Sequence, residues 1–482
     1  MLELRLSELA TDLGLACHHG DVAMTGLAID SRAVKPGDLF VAIDGDRVDG
    51  HDFIDSALEN GAAAIACTRS IDTTAPHIEV TDANHVCAAF GRLMRDRFHG
   101  SVIGITGSAG KTTAKSFLES ICSRAGATVA TFGNQNNELG VPLTLARLST
   151  SPEFAVVEMG ASQKGDITSL KSMAAPQIVV LLNALEAHVG RFGSLEKIAQ
   201  TKGEILDDLI ASDTAVLNAD QSHYSSWRTR AAPAQIISFG ENSDADVRLI
   251  GLEDRGFDGS DITVDAMGTR MSLRLSIPGK GGVTNALAAI AAATALDINL
   301  SLIAEGVEAL LPVEGRGNTL HLARGIRVID DSYNASPSSV MAALDTLKRA
   351  KPPRTAVLAD MLELGDDGPD YHRNVGRHLS DLGIERVIAV GELSAHITDN
   401  CASQALHFAH IDQLLADCPE FFQDETILVK GSRGMQLDRF VTSMTSSGGE
   451  ASCGLGSLHS WRRGNLRAPF FSTSRCAASC PP

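Results

Sequence analysis

One stretch constrains this chain more than any other: Ile103-Gly104-Ile105-Thr106-Gly107-Ser108-Ala109-Gly110-Lys111-Thr112-Thr113. The apolar run Ser101 to Ile105 reads as a buried strand. Lys111 to Ala125 reads as a helix, with Phe117, Leu118, Ile121 and Cys122 along one side. Strand, glycine turn and helix, in that order, is the setting a phosphate-binding loop requires. Glycines let the backbone approach phosphate oxygens, and N–H groups at the helix start point at them. Gly107, Ser108, Ala109, Gly110, Lys111, Thr112 and Thr113 are therefore the candidate nucleotide-binding residues. Lys111 would reach the terminal phosphates, and the Thr112 hydroxyl would sit on Mg²⁺. The spacing T-G-x-x-G-K-T departs from a strict G-x-x-x-x-G-K-[ST], because Ile105 stands where the first glycine belongs. The competing account is an ordinary strand-to-helix turn that happens to hold Gly-Lys-Thr. The flanking pattern favours ATP or GTP, and leaves open what the phosphate is used for.

At 482 residues the chain exceeds one ordinary core, and about three domains are expected. No apolar run reaches the roughly 18 residues of a membrane helix, so no membrane span is expected. The start, Met-Leu-Glu-Leu-Arg-Leu-Ser-Glu, is amphipathic and partly acidic, unlike a signal peptide. Lys and Arg number 41 against 59 Asp and Glu, a net charge of −18 that argues against nucleic acid as partner. Anionic small substrates remain open, because they need only a local basic site. The nine cysteines are scattered without a CxxC pair, as in a reducing compartment, and the cytoplasm is expected.

Residues 1–98 read as a small α/β domain, with short strands at Asp38 to Ile43 and Ala62 to Cys67 and a helix from Asp52 to Asn60. Its polar clusters, Asp30-Ser31-Arg32 and Gly45-Asp46-Arg47-Val48-Asp49-Gly50-His51, are either turn chemistry or a diphosphate clamp. Residues 99–314 form the nucleotide domain. After the phosphate loop come Gly133-Asn134-Gln135-Asn136-Asn137, a poor helix and a good polar binding loop. The apolar strand Glu153 to Met159 carries Glu158 near its carboxyl end, well placed to hold Mg²⁺ or simply to cap the strand. His188 follows a further strand, Pro176 to Asn183. Ser194 to Ile210 reads as one helix in which Lys202 falls on the apolar stripe. A lysine there either has a partner and a job or snorkels. Asp246 to Pro278 alternates like antiparallel strands, and Asn285 opens an Ala-rich helix running to Leu296. Residues 315–445 read as a doubly wound α/β domain with a parallel sheet. Its strand ends carry Asp330-Asp331-Ser332-Tyr333-Asn334, Asp360-Met361-Leu362-Glu363 and Lys430-Gly431-Ser432-Arg433, which should face one cleft or partly serve as helix caps. Residues 446–482 turn basic and rich in Ser, Gly, Cys and Pro, and read as a disordered tail or the product of an altered reading frame.

Taken in order, these motifs resemble the Mur ligases across about residues 25 to 440. The Asn-rich loop with Gly140-Val141-Pro142-Leu143-Thr144, and Asp330-Asp331-Ser332-Tyr333-Asn334-Ala335-Ser336-Pro337, resemble the branch that adds a dipeptide. The resemblance implies three α/β domains: one for a UDP-linked substrate, a central P-loop ATPase and a C-terminal Rossmann-like domain. It also implies an ATP-dependent ligase of peptidoglycan synthesis, joining D-alanyl-D-alanine to UDP-N-acetylmuramoyl-tripeptide through an acyl phosphate. It implies Lys111, Thr112 and Glu158 at the phosphates and one Mg²⁺, and His188 and a carbamylated Lys202 near a second. Asn285, Arg316 and Asp331 would meet the nucleotide. Asp30, Ser31, Arg32, Arg47, Asn134, Asn136, Asn137, Asn334, Lys430, Ser432 and Arg433 would meet the other substrates. A monomer is expected. Two departures stand out. The family's Gly-x-His-Asn-x-x-Asn appears as Gly279-Lys280-Gly281-Gly282-Val283-Thr284-Asn285, which removes the adenine-pocket asparagine. Gly190-Arg191 replaces the usual acidic residue after His188-Val189. The alternatives are the sister ligase that adds a single amino acid to the dipeptide, and a non-catalytic nucleotide-binding module.

Overall fold

The computed structural model describes residues 2–45, 48–151, 153–185, 192–416 and 422–446. Asp46, Arg47, His188, Gly190, Arg191 and the tail from residue 447 lie outside the described residues.

Among the described residues three sheets organise the chain, apart from a two-stranded ribbon pairing Leu4–Arg5 with Ala23–Met24. The first sheet is built from β1 (Gly26–Ala28), β2 (Asp38–Val41), β3 (Ala64–Cys67) and β4 (His77–Glu79), all parallel and in that order. β2 and β3 are buried along their whole length, as a parallel sheet covered on both faces requires. Helix α1 (Ala83–Asp96) covers one face and leads into the middle unit. Its buried Arg95 donates to the carbonyls of Phe98, Ala174 and Ala175, fastening the first unit to the second.

The middle unit contains β5 (Ser101–Thr106), α2 (Lys111–Ala125), β6 (Thr128–Ala130), α3 (Gly140–Leu145), β7 (Phe154–Glu158), α4 (Asp166–Ala174), β8 (Ile178–Leu181) and α5 (Leu195–Lys202). It continues with β9 (Thr214–Asn218), β10 (Gln235–Gly240), β11 (Val247–Asp254), β12 (Ser260–Ala266), β13 (Thr269–Leu275), α6 (Gly279–Ala295) and α7 (Leu300–Glu308). The sheet order is β13-β12-β11-β10-β9-β8-β5-β7-β6. It is parallel from β6 to β11 and antiparallel across β11, β12 and β13. The expected period-2 alternation is present in β12, whose residues alternate buried and half-buried. The Ala-rich helix is buried from Ala286 to Ala293 and packs against α2. Its small side chains permit that close approach. Two expectations need correction. The helix begins at Gly279, so Asn285 lies in its second turn and does not open it. The segment expected as one helix from 194 to 210 is α5 followed by a 3₁₀ turn, Gly203–Leu206.

The third sheet uses β14 (Asn318–His321), β15 (Arg327–Asp331), β16 (Arg354–Ala359), β17 (Arg386–Val390), β18 (Gln404–Phe408) and β19 (Thr426–Lys430). Its order is β14-β15-β19-β16-β17-β18, parallel except for the antiparallel edge strand β14. Helices α8 (Pro337–Leu347), α9 (Gly368–Leu382) and α10 (Asp438–Ser446) accompany it, and apolar clusters fill both faces. The apolar runs at 326–329, 356–359, 387–390 and 427–429 suggest four of these strands; β14 and β18 are additions to that pattern. Ion pairs from Arg327 to Asp258 and from Arg349 to Asp254 tie this unit to the β11–β12 hairpin.

Candidate active site

The phosphate loop lies between β5 and α2, and hydrogen bonds from neighbouring segments set its shape. Ser108 N–H donates to the Asn183 carbonyl at 3.1 Å. The Asn183 side chain accepts from Ala109 N–H at 3.0 Å and donates to the Ala109 carbonyl at 3.1 Å. Ser108 Oγ accepts from Leu185 N–H at 3.0 Å. Gly110 is required twice over. Its φ is +83°, and a Cβ there would fall 2.3 Å from Asn285 Oδ1. Asn285 of α6 is thus packed on the loop, although it is not at the start of its helix. Lys111 Nζ rests on the Gly107 carbonyl at 2.9 Å. Burial lowers its pKa, with Glu158 opposing that shift and Arg316 adding to it. Thr112 is buried in the first turn.

Parallel pairing of β5 with β7 sets Ile105 opposite Glu158, which brings the carboxylate to the end of the neighbouring strand. Glu158 is 1% exposed. Asn136 Nδ2 donates to its Oε1 at 2.7 Å, while its Oε2 is buried and has no hydrogen-bond partner among the described residues. Leaving such an oxygen bare costs about 1–3 kcal/mol, more when it is charged. The cost points to a cation or donor that arrives with a ligand. A lone carboxylate plus phosphate oxygens suits Mg²⁺, which keeps waters and takes few protein ligands. Among the described residues no group of three or more His, Cys, Asp or Glu side chains forms a metal cage.

Lys202, at the end of α5, is 3% exposed and lies in the middle unit's core. Its Nζ donates to the Ala161 carbonyl at 3.2 Å and stands 5.8 Å from the Phe192 ring centroid. Burial, then the charge of Lys111, lowers its pKa to about 7. The amine has a carbonyl but no salt-bridge partner among the described residues.

The third unit brings its own cluster. Asp330 accepts from Gly315 N–H at 3.0 Å and from Ser332 Oγ at 2.6 Å. This pins the linker Gly315-Arg316-Gly317, whose glycines have φ of +73° and +82°. The Arg316 guanidinium lies 4.0 Å over the Tyr333 ring, and that of Arg433 lies 6.0 Å from it. Lys430 Nζ donates to Asp331 at 2.7 Å and to the Asn334 carbonyl at 2.9 Å. Ser432 Oγ accepts from Leu362 N–H at 2.9 Å. The three strand-end clusters thus do meet on one side of the sheet.

Other expected residues are placed differently. The Asn136 amide is occupied by Glu158, and Asn137 Oδ1 caps α3 through Gly140 N–H at 3.0 Å. Asn134 is exposed. Arg32 forks back onto Asp30 at 2.7 and 2.9 Å, and buried Ser31 accepts from Asn60 through its carbonyl at 2.9 Å. Asp49 has its pKa lowered to about 2 by hydrogen bonds from His51 and by Arg69. Beside Gly281 there is open space, but a Cβ on Gly282 would fall 2.8 Å from the Ile277 carbonyl. Asn183 escaped sequence reasoning. Its signal was a polar residue ending an apolar strand beside the phosphate loop.

Comparison with known proteins agrees with this geometry. Family models match the Mur ligase family catalytic domain over residues 23–95, the Mur ligase middle domain over 105–293 and the Mur ligase glutamate ligase domain over 315–433. The UDP-N-acetylmuramoyl-tripeptide–D-alanyl-D-alanine ligase of Escherichia coli is 34% identical, covering 93% of this chain and 100% of the relative. That of Bacillus subtilis is 32% identical, with 88% and 93% covered. The crystal structure of MurF from Acinetobacter baumannii superposes with a TM-score of 0.85 at 29% identity, covering 93% of this chain and 100% of that one. The MurF ligase of Thermotoga maritima, solved in complex with ADP, gives a TM-score of 0.75 at 28% identity, with 87% and 97% covered. The phosphate loop, the strand-end carboxylate beside it and three α/β units in this order place the chain in the Mur ligase family.

Proposed function

We propose that this enzyme joins D-alanyl-D-alanine to UDP-N-acetylmuramoyl-tripeptide at the expense of ATP, making the pentapeptide precursor of peptidoglycan. The supporting observation is the buried oxygen of Glu158, without a partner among the described residues, beside a phosphate loop braced by Asn183. The relatives named for this reaction span nearly the whole chain.

A carboxylate does not condense with an amine in water without activation. A carboxylate oxygen of the tripeptide attacks the γ-phosphorus, the bond to the β-phosphate oxygen breaks, and ADP leaves. The amine of D-alanyl-D-alanine then attacks the acyl phosphate carbon. The tetrahedral adduct expels phosphate and the nitrogen gives up a proton. Both steps gather negative charge on oxygens, so catalysis is positioning and cation clamping. Lys111 leaves the Gly107 carbonyl for the terminal phosphates, and Arg316 adds a second cation from the linker. Thr112 and Glu158 would hold Mg²⁺, which supplies charge neutralisation when bound. Lys202, its pKa lowered to about 7 by burial, is fit to add carbon dioxide through its nitrogen and release a proton, which turns a cation into an oxygen donor. In this reading Asn136 orients Glu158. Asp30, Ser31 and Arg32 meet the UDP end, Asn285 and Asp331 the nucleoside, and Asn334, Lys430, Ser432 and Arg433 the peptide. His188 and Arg47 keep the roles their motifs imply. The enzyme works as a cytoplasmic monomer. Among the described residues no helix is long and apolar enough to cross a membrane.

The test is phosphate release with ATP and Mg²⁺, adding the two substrates singly and together, with mass spectrometry of the product. Release only with both, and a product heavier by one dipeptide less water, is expected. Release with UDP-muramoyl-dipeptide and a free amino acid would assign the sister reaction instead.

A further inference from the structure

A second buried carboxylate lies two residues beyond Lys202, and nothing in the proposed chemistry uses it. Glu204, in the 3₁₀ turn after α5, is 5% exposed. Its Oε1 accepts from Gly165 N–H at 2.9 Å. Its Oε2 accepts from Thr168 N–H and Thr168 Oγ1, both at 3.2 Å. Gly165 is the N-cap residue of α4 and Thr168 lies in its first turn, so the carboxylate caps that helix from a distant segment. The chain between Glu158 and α4 is thereby held at both ends. At one end Glu158 is fixed by Asn136. At the other, Gly165 is fixed by Glu204, while Asp166 Oδ2 gathers Ser162 N–H at 2.8 Å and Gln163 N–H at 3.0 Å. Ala161, the residue whose carbonyl receives Lys202 Nζ, sits in the middle of this clamped stretch.

We propose that Glu204 is a positioning residue: by capping α4 it fixes the 159–165 loop, and so sets where Lys202 Nζ stands relative to Glu158. The two segments clasp each other, with Lys202 donating to the loop at Ala161 and Glu204 accepting from it at Gly165. A buried carboxylate meant only to end a helix could come from the helix's own N-cap residue, which here is Gly165, a residue with no side chain to offer. The cap comes instead from the segment that carries the lysine, so any slip of that segment moves both groups together. The proposal rests on the reading that Glu158 and Lys202 serve one cation-bearing site.

The experiment uses the full chain with Glu204→Gln, Glu204→Ala, Thr168→Val and Lys202→Arg. Mn²⁺ binding in the presence of ADP is followed by its paramagnetic signal, and amide exchange is measured at residues 161–168. Groups hydrogen-bonded directly to metal ligands are worth about 10–100-fold in metal affinity, and Glu204, acting through the loop that receives Lys202, belongs at the low end of that range. Glu204→Gln should therefore weaken Mn²⁺ by at least about 10-fold. It should also speed exchange at Gly165 and Thr168, and lower kcat more than it raises KM for D-alanyl-D-alanine. Thr168→Val, which keeps the backbone donors, should change each by less than about 3-fold. Faster exchange with unchanged Mn²⁺ affinity would overturn the proposal, because the cap would then be structural alone. Unchanged exchange in Glu204→Gln would overturn it as well. Should Glu204→Ala fail to fold, Glu204→Gln still decides. Lys202→Arg separates the two levels: normal turnover there would remove the cation-site reading itself, whereas an inactive Lys202→Arg beside a normal Glu204→Gln would remove only the positioning role.

Discussion

The polar groups at the carboxyl ends of the middle sheet and of the third sheet look alike in sequence and differ in how they are satisfied. In the middle unit, Glu158 keeps one oxygen bare among the described residues, and Lys111 and Lys202 each rest on a backbone carbonyl. In the third unit the groups are paired. Lys430 meets Asp331, Asp330 gathers donors from Gly315 and Ser332, and Asp360 accepts from Leu393 and Ser394. A site whose charges lack partners is poised for a ligand that brings them. One whose charges are paired is a frame that holds its shape. Function should therefore fail first in the middle unit, and stability first in the third.

The sharpest way to break this contrast is Lys111→Ala. It should lower kcat by about 10²–10³-fold, the usual loss when a fixed donor to developing oxyanion charge is removed. The melting temperature should be almost unchanged, and a large fall in it would erase the distinction. Lys202→Arg should lower turnover by a similar factor, read as phosphate release. Lys202→Met should be equally inactive yet melt higher than the parent. The sign follows from proton counting. The folded-state pKa of about 7 lies below the unfolded lysine value, so the unfolded chain holds more protons between pH 7 and the ordinary lysine range. The parent therefore gains stability as pH rises through that window, and the advantage of Lys202→Met, fully present below pH 7, should shrink across it in thermal melts.

In the third unit the order reverses. Lys430→Met strands Asp331 and should cost about 3 kcal/mol in denaturant unfolding. Much of that should return in the double variant Lys430→Met/Asp331→Leu. Smallest is Arg32→Ala in the first unit. Its pair with Asp30 is exposed, with side chains 87% and 44% accessible, so the midpoint of denaturant unfolding should hardly move. An increased KM for the UDP-linked substrate would show that the exposed guanidinium serves binding.

The phosphate loop was legible because its chemistry is local. The residues of strand, turn and helix are contiguous, and α2 begins and ends where the pattern puts it. The buried lysine was legible from its place on an apolar stripe. What the sequence did not disclose was partnership. Asn136 reads as a substrate amide until β6 and β7 pair and bring it onto Glu158. Asn183 and Glu204 act across 74 and 39 residues of chain, and no spacing rule connects them to Ala109 or Gly165. The start of α6 was misjudged because Gly279, Gly281 and Gly282 are poor helix formers, and here tertiary packing of the alanines outweighs propensity. The edge strand β14 exists because Asn318 to His321 pair with β15, a contact the local pattern does not announce.

The linker Gly315-Arg316-Gly317 carries a last consequence. It is hydrogen-bonded to Asp330 and its arginine is stacked on Tyr333, so Arg316 travels as a passenger of the third unit although it precedes that unit's first strand. Its charge nonetheless reaches Lys111 across the gap. The electrostatic potential at the phosphate loop therefore depends on the angle between the two units. Part of the positive field at the nucleotide loop is thus supplied by a residue anchored outside the unit that forms the loop.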